Sequence, residues 1–170
     1  MAGVTEAPVA AERDVNLLRV WFRFIRMERR LFAAIGLRLR EIGLSIPQFD
    51  LLSTLTEREG ISQQELAERL YVTKGNVSGL VDRLVAGDLV ERRALAGDRR
   101  SHALFLTPKG RALAEEGIAI QRAYVTETLG RLPDRDLEEL ERIILAWRDI
   151  LRAQDAAPKP AARRRGAASA

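Results

Sequence analysis

The chain has 170 residues, 46% apolar and 31% charged, with a formal net charge of +4. That length suits one domain with a core of its own rather than two large ones, and with 5% aromatic residues the core must come from Leu, Ile, Val and Ala, a composition that leans towards helix. The lack of cysteine excludes disulfides, thiolate nucleophiles, thiol redox sensing and Cys-based zinc sites, and no apolar run or leader offers a membrane span or a secretory signal, so a cytoplasmic protein with no membrane attachment is expected.

Residues 1–11 are small and polar and read as a disordered N-terminal tail. After them Leu17, Trp21 and Phe24, then Leu31, Ile35, Leu39 and Ile42, recur at three- and four-residue steps, which predicts a long helix with one apolar stripe and Gly43 as its stop. A short helix follows, with Ser45 in the cap region, Pro47 in the first turn, Phe49, Leu52 and Leu55 on one face, and Gly60 as terminator. Ser62 with Glu65 three residues on is a capping box that opens a helix to about Leu70. After a tight turn, Thr73 can cap a further helix that buries Val77, Leu80, Val81 and Leu84, turns Lys74, Asn76, Ser78 and Arg83 outward, and stops at Gly87. Residues 89–94 and 101–106 are each short enough for a strand, and residues 96–99 supply the turn of a β-hairpin. Thr107 and Pro108 restart helix, and two helices broken near Gly130 and Pro133 run to about residue 153; the second carries Leu137, Leu140, Ile144, Trp147 and Leu151 in a heptad-like repeat suited to a partner helix. Residues 154–170 read as a disordered basic tail.

Charge is unevenly distributed along this order. Residues 71–111 hold eight basic side chains against four acidic ones, the tail from Pro158 holds four basic and none acidic, and the rest of the chain is net negative. An anionic partner follows. An enzyme would need a nucleophile with its base, a metal set or a phosphate-binding glycine loop, and a chain with one histidine and no cysteine shows none, so no catalytic residue, metal or cofactor is expected. His102, the lone histidine, is assigned no chemistry; Trp21, Phe24 and Trp147 read as core rather than as an effector pocket. Arg99 and Arg100 suit either an anion or the guarding of a sheet edge, and Asp98 suits either the orientation of an arginine or a local Asx-turn.

Residues 62–110 resemble the DNA-binding core of the MarR family of bacterial transcriptional regulators. The resemblance rests on GNVSGLVDRL at 75–84, GDLVERR at 87–93, DRR at 98–100 and LTPKG at 106–110, in that order, and the flanking helices extend it over roughly residues 13–153. It implies a mainly α fold with a small β-hairpin: a winged helix-turn-helix, its DNA-binding core at about residues 45–110 of a domain spanning 12–153, flanked by N- and C-terminal dimerisation helices. It implies a homodimer on double-stranded DNA that acts as a ligand-responsive repressor, released by a small aromatic or phenolic effector whose pocket residues are not assigned. The helix from Thr73 would enter the major groove, with Lys74, Asn76, Ser78 and Arg83 towards DNA, while the hairpin tip reaches the minor groove through Arg99 and Arg100, oriented by Asp98. A larger residue is common in the family where Gly79 stands, so base readout would rest on fewer side chains. The alternative is a winged helix used as a protein-interaction module without specific DNA binding.

Overall fold

The computed structural model describes the backbone of residues 6–95 and 98–156, and the side chains of residues 13–94 and 102–155. The elements in order are α1 (Glu6–Glu41), α2 (Ile46–Glu57), β1 (Ile61–Ser62), α3 (Gln63–Arg69), α4 (Lys74–Ala86), β2 (Val90–Leu95), β3 (Asp98–Leu106), α5 (Pro108–Thr128), a 3-10 turn (Leu129–Arg131) and α6 (Asp134–Ala156). The chain divides within α5 into one unit up to Tyr124 and a second from Val125.

Both ends differ from the expected boundaries. The first helix begins at Glu6 rather than near residue 12, because EAPVAAERD is rich in strong helix formers and its proline falls in the first turn, where a missing N–H breaks no intrahelical bond. The last helix continues to Ala156. Residues 1–5 and 157–170, where disordered tails were expected, lie outside the described residues.

In the first unit the core gathers the C-terminal end of α1, the apolar face of α2, the inner sides of α3 and α4, and the sheet. Leu39, Leu51, Leu52, Leu55, Leu66, Val77, Val81, Leu84, Val90 and Leu104 are fully buried in it. Each contributes about 1.5–3 kcal/mol of burial. The N-terminal part of α1 is different: Val15, Leu17, Val20 and Phe22 are more than half exposed, and Trp21 and Phe24, whose rings stand 6.4 Å apart, are exposed too. The core role expected for those two aromatics is therefore not met within one chain, since a helix 36 residues long reaches past the elements that bury Leu39.

Three helices turn through the same reversal. After α1 the amide of Gly43 (φ +78°) donates to the Arg40 carbonyl and that of Leu44 to Leu39; after α3 Tyr71 (φ +54°) donates to Glu68 and Val72 to Ala67; after α4 Asp88 (φ +58°) donates to Val85 and Leu89 to Leu84. Each is a Schellman closure, which needs one left-handed residue. Glycine adopts it freely at 43, whereas another L-residue costs about 1–2 kcal/mol, less for aspartate and fully for tyrosine. The α4 helix stops at Gly87 as expected, with Gly87 as its C-cap at a φ of −82°, and the left-handed turn residue is the next one, Asp88. By contrast α2 ends at Glu57 and not at Gly60, which instead donates its amide to the Leu104 carbonyl at 2.8 Å and leads the chain into the sheet.

The sheet has three strands in the order β1-β3-β2, all antiparallel. Val90 faces Leu106, Arg92 faces Leu104 and Ala94 faces His102, and a bulge at Ala94/Leu95 precedes the Leu95–Asp98 pair. The third strand was not expected: Ile61 and Ser62, opposite Leu104 and Ala103, are too short a run to show a period. In the second unit α6 carries Leu137, Leu140 and Trp147 half-buried and Ile144 and Leu151 exposed.

Candidate nucleic-acid interface

The α3–turn–α4 unit is held by its own sequence. Ser62 accepts the Glu65 amide at 3.1 Å to open α3, and Thr73 accepts the Asn76 amide at 3.4 Å to open α4. Of the residues expected to face an anion, Thr73, Lys74, Asn76 and Arg83 are exposed and Ser78 is half-buried. They do not form one continuous face. At roughly 100° per residue the buried Val77, Leu80, Val81 and Leu84 share one side of α4, so Gly75, Gly79 and Asp82 hold the centre of the opposite side. Lys74 and Ser78 lie on one flank and Asn76 and Arg83 on the other. A Cβ added at Gly75 meets nothing within 4 Å, and one at Gly79 meets only the Arg83 guanidinium at 3.9 Å. The outer side of α4 therefore combines open backbone at the two glycines with the exposed Asp82 carboxylate, which Arg92 pairs, between two polar edges.

The hairpin beside it is anchored at its root. Arg92 of β2 pairs with Asp82 of α4 at 2.5 Å, and the Arg93 guanidinium lies 4.2 Å from the centre of the Phe105 ring. Glu59 accepts the Leu106 amide at 2.9 Å and pairs with Arg111 of α5 at 2.8 Å. The Thr107 hydroxyl donates to the Asp88 carbonyl at 2.7 Å and accepts the Gly110 amide, while Lys109 donates to the Gly87 carbonyl at 2.9 Å, at the negative end of the α4 dipole. The LTPKG motif is thus a clamp between α4, β2 and α5, and Lys109 is committed to it. Sequence reasoning missed Glu59, whose partners stand some 50 residues away.

At the tip the strand is longer than expected: β3 starts at Asp98, so Asp98, Arg99 and Arg100 belong to the strand backbone and the turn is shorter than residues 96–99. The bulge lets β2 and β3 stay paired up to Leu95 and Asp98. Ala96 and Gly97, and the side chains of Asp98, Arg99 and Arg100, lie outside the described residues.

A cleft of about 560 Å³ opens between α2 and α4, lined by Pro47, Asp50, Leu70, Val72, Gly75, Gly79 and Arg83 among others. Burial holds the Asp50 carboxyl above its ordinary range. The folded state therefore takes up that proton more readily than the unfolded chain, so stability gained as the pH falls through the raised pKa is lost at neutral pH, where the carboxylate is charged. Asp50→Asn is expected to raise the melting temperature at pH 7, with the advantage shrinking as the pH falls through that pKa; equal melting of the two proteins at pH 7 would contradict this.

The arrangement of a capped two-helix unit and a β2–β3 hairpin matches known proteins. A model described as MarR family matches residues 42–101. An HTH-type transcriptional repressor of Mycobacterium tuberculosis is 33% identical over 106 residues, which cover 62% of this chain and 76% of the relative. The chain belongs to the MarR family. Among solved structures similar to this MarR-family fold, CouR from Rhodococcus jostii, bound to p-coumaroyl-CoA, is 25% identical with a TM-score of 0.67, over 74% of this chain and 88% of that one. A mutant MarR from E. coli complexed with operator DNA is 24% identical with a TM-score of 0.69, over 77% and 95%. The fold is mainly helical with a winged helix-turn-helix at its centre, as the motifs at residues 62–110 imply. No helix among the described residues is long and apolar enough to cross a membrane.

Proposed function

We propose that this MarR-family regulator is a cytoplasmic, non-enzymatic homodimer that binds double-stranded DNA sequence-specifically and represses transcription until a small aromatic or phenolic molecule releases it. The observation that carries this reading is the outer side of α4. Two glycines open its backbone between Lys74 and Ser78 on one flank and Asn76 and Arg83 on the other, and Asp82, the acid on that side, is paired by Arg92, on a helix fixed by the Thr73 cap. Asn76 has the donor and acceptor to read adenine, and Lys74 and Arg83 suit guanine or phosphate. The M. tuberculosis relative, named a repressor, supports the sign of regulation, and the p-coumaroyl-CoA held by CouR supports the effector class. The uncovered apolar residues of α1 and α6 support the homodimer.

In this reading Arg100 enters the minor groove beside α4, Arg99 contacts phosphate and Asp98 orients them. Arg100→Ala should keep fold and dimer while lowering affinity by about 1–3 kcal/mol, most on A·T-rich flanks. Arg99→Ala should weaken all sequences alike and lower the salt slope by about one unit per contact. Fluorescence anisotropy on operator and random duplexes across salt concentrations measures both. A wild-type protein that binds the two duplexes equally would instead be a winged helix serving protein interaction.

A further inference from the structure

Tyr71 stands at the reversal between α3 and α4, and two features of it have no structural purpose. It holds φ +54° at a position where glycine would adopt the same turn freely, and its side chain is 84% exposed. Its hydroxyl has no hydrogen-bond partner among the described residues. The turn hydrogen bonds, from the Tyr71 amide to the Glu68 carbonyl and from Val72 to Ala67, use only backbone and would survive any side chain there. An aromatic ring kept in a strained conformation and packed on nothing indicates a contact made outside the chain.

We infer that Tyr71 is a DNA-backbone contact: its ring lies against a deoxyribose and its hydroxyl donates to a phosphate oxygen on the wall of the groove that α4 enters. This rests on the DNA-binding reading above. Tyr71 precedes the Thr73 cap by two residues and Lys74 by three, and in a helix-turn-helix the N-terminal residues of the second helix reach the base edges. The residue just before them therefore meets the sugar-phosphate edge of the groove. A phenol suits that edge, since it offers apolar area to the sugar and a donor to the phosphate. Being uncharged, it displaces no counterion, and it carries no sequence information. It would fix the depth and orientation of α4, on which the few side chains flanking Gly75 and Gly79 depend.

The test compares full-length wild type, Tyr71→Gly and Tyr71→Phe by thermal melting and by duplex binding over a salt series. Tyr71→Gly should melt about 2 °C or more above wild type, because strain is removed. It should bind operator and random duplex about tenfold more weakly, with the slope of log affinity against log salt unchanged, as for a lost neutral contact to phosphate. Tyr71→Phe should keep the wild-type melting point and lose part of the affinity. Wild-type affinity in a well-folded Tyr71→Gly protein overturns the inference, and so does a loss confined to the operator, which would make Tyr71 a base reader. A wild type without preference for operator DNA overturns the DNA-binding reading, and this inference with it.

Discussion

Gly110→Ala is expected to destabilise the protein by about 3 kcal/mol or more, a large part of the about 5–15 kcal/mol that holds a typical fold. A Cβ at this position would stand 1.8 Å from the Leu89 carbonyl oxygen, 2.7 Å from its carbonyl carbon and 3.1 Å from its Cα. All three atoms are backbone, so no rotamer change relieves the overlap. The first turn of α5 would have to lift off the 87–89 reversal, and with it would go the Thr107 and Lys109 hydrogen bonds to Asp88 and Gly87 and the Thr107 amide bond to Leu89 at 3.1 Å. At about 2–4 °C per kcal/mol for a chain of this size, the melting temperature should fall by about 10 °C. Gly79→Ala is the control, since its Cβ meets only the end of the Arg83 side chain and alanine favours helix by about 0.5–1 kcal/mol. Circular dichroism melts of both proteins decide it: if Gly110→Ala melts with wild type, α5 does not press on Leu89 as described.

That contact shows where sequence reading stops. Local signals were legible: Ser62, Thr73 before α4 and Thr107 before Pro108 each announce a cap that the structure contains, because a cap is made by residues three apart, although Ser62 and Glu65 form only half of the expected capping box, the Glu65 carboxylate turning to Arg69 instead. The buried face of α4 was legible for the same reason, four apolar side chains at helical spacing. Distant pairings were not. Glu59 meets Leu106 and Arg111, Asp82 meets Arg92, and Ile61 finds a strand partner in Leu104, and no local pattern marks any of these. Strain was hidden as well: Tyr71 and Asp88 read as ordinary turn residues, and only backbone angles reveal that both are left-handed. For the candidate site, the residue types were legible but their placement was not. Lys74, Asn76, Ser78 and Arg83 read together as outward residues, and only the folded chain shows open space at Gly75 and Gly79 between them and the Asp82 carboxylate drawn to Arg92.

Ile144→Glu is expected to dissociate the dimer and to weaken operator binding with it. Ile143, Ile144, Ile150 and Leu151 of α6 are 46%, 52%, 58% and 50% exposed in the single chain, a run of large aliphatic surface along 23 residues of helix. Ile144 sits within the heptad-like set Leu137, Leu140, Ile144, Trp147 and Leu151, the spacing that meshes with a partner helix. Because Ile144 touches little in the monomer, glutamate there should leave its melting transition at high dilution within about 0.5 kcal/mol. In a packed interface the same carboxylate would be buried without a partner, at a cost of several kcal/mol, so the dimer dissociation constant should rise at least about a hundredfold. Two linked helix-turn-helix units gain about 10²–10⁴ in affinity over one, so operator binding should fall by a comparable factor, whereas the weak binding of a single unit should persist. Sedimentation equilibrium and anisotropy on the same preparations measure the two losses together. A mutant that sediments as an unchanged dimer, or a wild type that is monomeric at micromolar concentration, would remove α6 from the interface and leave its apolar run to some other partner.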